Sequence, residues 1–145
     1  MNKSHSDADS TIVYAHCDGP CGVYDPSSAR IAAEAVVSMT KKLLELEKPV
    51  PDSGQAHRAY LNTFTRYVAI KEQEAQACKD ELLILWTDYF KQEHLKKNPE
   101  LHELFWKAAK LCSHCKISID TEHAQELLHA VRDIHVLFWS TKNRD

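Results

Sequence analysis

His16-Cys17-Asp18-Gly19-Pro20-Cys21-Gly22-Val23-Tyr24-Asp25-Pro26 is the stretch from which the rest of the chain can be read. Two cysteines four apart, the first preceded by a histidine, can return both sulfurs to one side of a tight turn. Gly19 accepts backbone angles closed to other residues, Pro20 fixes φ, and Gly22 lets the chain leave the turn without a side-chain clash. The resulting hook offers two thiolates and one imidazole. Nitrogen and sulfur donors in a planar or tetragonal set suit Ni(II) or Cu(II), whereas zinc takes tetrahedral donors. Three side chains leave a fourth ligand to come from the backbone, from water or from a residue far off in sequence. Spacing alone also allows an ordinary pair of thiols or a short-loop disulfide.

The same stretch ends by opening a helix. Asp25 can cap free backbone N–H groups, and Pro26 is tolerated in a first turn, where its missing N–H costs nothing. Ile31, Ala35, Met39 and Leu43 then recur every fourth residue to about Glu47, which predicts a helix with that stripe inward. Lys48-Pro49-Val50-Pro51-Asp52-Ser53-Gly54 breaks it. From about Gln55 to Phe90 no Pro or Gly intervenes, and Tyr60, Phe64, Tyr67, Ile70, Cys78, Leu82, Leu85 and Tyr89 form the expected inward stripe. A third helix follows Pro99, with Leu101, Leu104, Phe105, Ala108, Leu111, Cys112 and Cys115 inward. A fourth starts at Asp120, with Ala124, Leu127, Leu128, Val131, Ile134 and Phe138. Four amphipathic helices with short connections and no strand signal predict an all-α fold, an up-down four-helix bundle carrying the hook at its N-terminal side.

At 145 residues the chain has the size of one domain, with a core of its own and no room for two. No apolar run approaches the roughly eighteen residues that span a bilayer, so no membrane partner is expected. The net charge of −3, without a basic block or basic-aromatic interleaving, argues against nucleic acid. Five cysteines at irregular spacings do not make a secreted disulfide framework, which favours a reducing, cytoplasmic compartment. Residues 1–15 are polar and lack the apolar centre of a secretory signal, so they read as another kind of leader or as a tail.

The string His16 to Pro26 resembles the nickel hook of the nickel-containing superoxide dismutases, in which an H-C-D-x-P-C-G-V-Y-D-P segment opens the mature chain. The resemblance continues through Ala29-Arg30-Ile31, Ile70-Lys71-Glu72-Gln73, Leu85-Trp86-Thr87-Asp88-Tyr89-Phe90-Lys91, Pro99-Glu100-Leu101-His102 and Phe138-Trp139. It implies an enzyme that converts superoxide to dioxygen and hydrogen peroxide with a nickel ion as cofactor. It implies too that a processing peptidase removes residues 1–15, with the small Ala15 at the junction, leaving 16–145 as the mature domain (hook 16–24, bundle 25–145). The freed amine of His16, the amide nitrogen of Cys17 and the sulfurs of Cys17 and Cys21 would then form the ligand plane, with the His16 ring axial in the oxidised state. A homo-hexamer is implied as the assembly. A non-enzymatic nickel- or copper-binding helical protein is the alternative from a different class.

The chemistry explains the need for sulfur. Superoxide dismutation requires a metal that alternately takes and gives one electron, and aqueous Ni(III) is too oxidising; anionic thiolate and amidate donors bring the couple into range. Tyr24, three residues beyond Cys21, is the expected gate, a phenol over the open axial face; it could instead pack the hook against the bundle. Asp18 is expected to tighten the hook. Lys71 or Lys91 could steer the anion, although a helix lysine is ordinarily solvated. His94 and His102 carry no mark of ligation, and Cys112-Ser113-His114-Cys115 lacks the second half of a zinc site, so those cysteines and Cys78 are expected to act as small apolar residues.

One departure from the family stands out. Its best-known members hold the axial ring with a glutamate on the first helix and an arginine on the second, and the matching positions here are Ala32 and Glu74. Metal-bound imidazoles rely on such outer partners for orientation and basicity. Glu74 is therefore expected to take over as the partner of His16.

Overall fold

The computed structural model describes residues 21–50 and 54–142. Helix α1 spans Ser27–Glu45. Its start follows the expected chemistry: Asp25 Oδ1 accepts the Ser27 N–H at 2.8 Å and Pro26 stands at the cap. Its inward face differs from the expected stripe. Ala29, Ala32, Ala33, Val36, Val37, Thr40 and Leu43 are buried, whereas Ile31 is 58% exposed and Ala35 and Met39 are only half-buried. A strict every-fourth-residue row drifts around a helix of 3.6 residues per turn, so Ile31 and Leu43 point about 120° apart. The face that wins is built of small residues, which allow close approach to two neighbouring helices.

Helix α2 runs Gly54–Ile84 and passes into a π-helical turn, Leu85–Tyr89, closed by the Phe90 N–H donating to the Leu85 carbonyl at 3.1 Å. A single break-free run was expected there, without the π turn. Lys71, Ala75, Cys78, Leu82 and Leu85 are buried, but Tyr60, Phe64, Tyr67 and Ile70 are only half-buried. The reason is register: the helix that ends at Ile117 meets α2 at Lys71, so the turns of α2 before Lys71 lie beyond that helix. The short α3, Gln92–Lys97, forms where the sequence predicts only a connection.

Helices α4, Leu101–Ile117, and α5, Thr121–Lys142, bury the residues expected of them, with Leu104 half-buried. Asp120 Oδ1 accepts the N–H groups of Glu122 (2.8 Å) and His123 (3.3 Å), and the His123 bond above all holds its carboxyl below the usual range.

The packed pairs are α1–α2, α2–α4, α4–α5 and α5–α1, a closed ring of four. Lys79 reaches Ser113 and Trp86 reaches His102, so α2 and α4 run antiparallel, as an up-down bundle requires. Phe105, Phe138, Leu82, Leu127 and Ile134 fill the centre. Cys78, Cys112 and Cys115 sit among them as thiols. A hydrogen bond to Cys112 and burial push the Cys78 thiol well up, and burial pushes Cys115 up to about 11, so both stay protonated and behave as small apolar groups. Among the described residues no helix is long and apolar enough to cross a membrane.

Candidate functional site

Of the expected ligand set, Cys21 lies within the described residues; His16, Cys17 and the neighbouring Asp18 lie outside them. Cys21 is an exposed thiol whose Sγ is 3.9 Å from the Val23 carbonyl oxygen. Gly22 has φ +72°, with nothing within 4 Å of where a Cβ would stand. Glycine is required there for its backbone conformation, and not, as expected, to relieve a side-chain clash. The chemistry of the thiol and imidazole donors fits nickel. No grouping of three or more His, Cys, Asp or Glu among the described residues could hold a metal ion.

Tyr24 follows at once and is half-buried, its ring 5.5 Å from that of Tyr89 at an interplanar angle of 55°. The two phenols share a cavity of about 470 Å³ with Gly22, Lys91, His94, Thr141 and Lys142, and with the carboxylates of Asp88 and Glu93. Tyr89 Oη and Thr141 Oγ1 are 2.5 Å apart, and Thr141 Oγ1 donates to the Phe138 carbonyl at 2.6 Å. Thr141 has one proton and has spent it, so the Tyr89 hydroxyl is the donor to Thr141. Lys142 Nζ stands 5.1 Å over the Tyr89 ring and 5.7 Å over Phe138. The C-terminal turn of α5 therefore delivers both a hydrogen-bond anchor and a cation to this wall.

Tyr89 is the residue that sequence reasoning missed, because it fell on the inward stripe of α2. Its signal was the hydroxyl: a tyrosine at the end of an apolar stripe needs a polar partner. Tyr89 is the last residue of the π turn, a kind of turn frequent at functional sites.

The two candidate steering lysines separate. Lys91 is exposed and lines the Tyr24 cavity. Lys71 is neither solvated nor near that cavity: it is 1% exposed, and its Nζ donates to the carbonyls of Cys115, Lys116 (3.0 Å) and Ser118 (2.9 Å). It satisfies the orphan carbonyls at the end of α4 and places a cation at the negative end of that helix. Burial lowers its pKa.

Glu74 is half-buried on α2 and precedes Tyr89 by fifteen residues, about 20 Å along the helix. Glu81, which drew no attention in the sequence, is half-buried two turns closer to Tyr89, and burial together with the Asp80 charge pushes its carboxyl up to about 7. His102 accepts the Trp86 indole N–H at 2.9 Å through Nδ1 and is a packing partner.

The sequence profile of the nickel-containing superoxide dismutases matches residues 11–142. A superoxide dismutase [Ni] of Streptomyces coelicolor is 40% identical over 135 residues, covering 93% of this chain and 94% of that protein. The Streptomyces seoulensis protein of the same name is 42% identical over 130 residues, 90% of each. Among solved structures, native nickel superoxide dismutase aligns with TM-score 0.72 at 40% identity over 88% of this chain and 100% of its own. A form with nickel ligation of the oxidised state aligns with TM-score 0.76 over 88% and 98%.

Proposed function

The chain belongs to the nickel-containing superoxide dismutase family and is a nickel superoxide dismutase, and on that premise we propose that its working centre is the hook of His16, Cys17 and Cys21, formed once residues 1–15 are removed. The observation that carries this reading is the placement of Tyr24, three residues beyond the exposed Cys21 thiol, on the wall of a cavity rimmed by Lys91 and Lys142. Bound nickel supplies one-electron exchange between Ni(II) and Ni(III), held in range by thiolate donors.

The chain's own residues do the rest. Lys91 and Lys142 offer two ammonium groups to a small anion in a lining whose formal charge Asp88 and Glu93 balance. Tyr24 offers a phenolic O–H to that anion or to an ordered water, while Tyr89, anchored on Thr141, holds the Tyr24 ring from behind. Asp18 tightens the hook by backbone hydrogen bonds.

A processing peptidase cuts between Ala15 and His16, since an ordinary peptide nitrogen at His16 cannot supply the amine ligand, and the enzyme works in the cytoplasm as a homo-hexamer. Glu74 serves as the carboxylate partner that accepts from the His16 ring N–H. Glu74→Gln should hold nickel, lose much activity and weaken the spectroscopic signature of axial imidazole; wild-type turnover with an unchanged signal would sink that pairing.

The deciding experiment is metal analysis and superoxide decay on the chain beginning at His16 beside the uncut chain. Nickel-dependent activity is expected in the first alone. Equal nickel affinity and activity in both would refute the role of cleavage, and nickel-independent decay would refute the hook.

A further inference from the structure

The wall of the Tyr24 cavity is completed by a histidine to which the hook chemistry assigns nothing. The His94 side chain is 18% exposed. Its ring lies nearly parallel to that of Tyr89, 5.6 Å away at 12°, and edge-on to Phe90 at 5.6 Å and 85°. Its polar atoms close a reciprocal lock on the first turn of α3. The Lys91 N–H donates to His94 Nδ1 at 3.0 Å, and the His94 N–H donates to the Lys91 carbonyl at 2.9 Å. An accepting Nδ1 puts the ring proton on Nε2.

We propose that His94 is a positioning residue for dismutation: it fixes the Tyr89 phenol by stacking and fixes Lys91 at the cavity mouth by accepting its backbone N–H. This rests on the reading of the Tyr24 cavity as the anion's approach. Three observations lead to it. A six-residue helix such as α3 is too short to hold itself, so the lock at its start decides where Lys91 stands. Tyr89 is bounded by Tyr24 at 5.5 Å and Phe138 at 4.4 Å, and the His94 face closes a further side of the ring. His94 also lines both the Tyr24 cavity and the adjoining one shared with Glu93, Lys97 and Thr141. A single side chain thus sets both the aromatic backing of Tyr24 and the placement of a mouth cation.

Two substitutions separate the functions of the ring. His94→Phe keeps the stack and removes the acceptor. His94→Asn removes the stack, while its amide oxygen reaches the place of Nδ1. Hydrogen exchange of the Lys91 amide, read on nickel-free chain beginning at His16, should be slow in wild type and His94→Asn and faster by about tenfold or more in His94→Phe. In nickel-loaded protein the metal content should be unchanged in both variants. In His94→Phe, kcat/KM should fall by about tenfold and depend less steeply on ionic strength, since the displaced Lys91 no longer attracts the anion at the mouth. In His94→Asn the salt dependence should return to that of wild type. A purely structural role would leave the salt dependence alone. Unchanged Lys91 exchange in His94→Phe, or unchanged kcat/KM and salt dependence per nickel while wild type is active, would overturn this inference alone. An inactive nickel-loaded wild type would overturn the reading of the cavity, and this inference with it.

Discussion

Replacing Lys71 with methionine should destabilise the bundle and leave catalysis untouched. The ammonium meets three carbonyls at the end of α4, of which that of Cys115 is buried and those of Lys116 and Ser118 lie at partly buried positions. Methionine preserves the reach and packing of the side chain but donates nothing. The Lys116 and Ser118 carbonyls can turn toward water, so one carbonyl is left buried without a donor, at about 1–3 kcal/mol. Loss of a cation at a partly buried helix C-terminus adds about 1–2 kcal/mol. Against these stands the desolvation of the ammonium, which is strong enough to depress the Lys71 pKa and is relieved in the variant. A net loss of about 2 kcal/mol follows, or roughly 5–8 °C in Tm for a domain of this size. Urea unfolding followed by far-UV circular dichroism measures it.

The pH dependence carries a sign. The folded pKa of Lys71 lies below the unfolded one, so the unfolded chain binds the proton more tightly. The wild-type chain should therefore gain stability relative to Lys71→Met as the pH rises through the folded pKa toward 10.5. Superoxide decay per nickel, and its dependence on ionic strength, should match wild type. A methionine variant as stable as wild type would show that the capping bonds only balance their desolvation, as buried charges often do. A flatter salt dependence would make Lys71 a steering charge after all.

Cys21→Ser should lose nickel and activity with a melting temperature close to wild type, because its thiol is exposed and adds nothing to the core. Cys112→Ser should keep nickel stoichiometry and lose about 1–2 kcal/mol by burying a hydroxyl among apolar neighbours; metal analysis and thermal unfolding check both, and loss of nickel in Cys112→Ser would contradict the apolar role. Glu81 has its carboxyl raised to about 7, so the stability it contributes at low pH should drain away as the pH rises through that value. Glu81→Gln, which cannot ionise, should match wild type near pH 5 and exceed it by roughly 1 kcal/mol above pH 8, the full shift being discounted for solvent around a half-buried group. A difference in Tm independent of pH would refute that account.

The four bundle helices and most of their limits could be read from residues in order, because they depend on near neighbours. Asp25 and Asp120 start helices through their own carboxylates, the Lys48–Gly54 segment ends one, and the inward faces of α4 and α5 follow the helical period. Only packing decided the rest. Ile31 faces outward and Ala33 inward because α1 lies against both α2 and α5, a choice the pattern of apolar residues on one helix does not contain. Lys71 is buried because the end of α4 lies over it, forty-four residues away in sequence. Tyr89 and His94 join Tyr24 because a π turn, a six-residue helix and the last turn of α5 meet at one end of the bundle. A local pattern records which side chains avoid water; which distant backbone groups and rings complete their bonding is settled only when the helices dock, since contacts across the bundle have no period in the sequence.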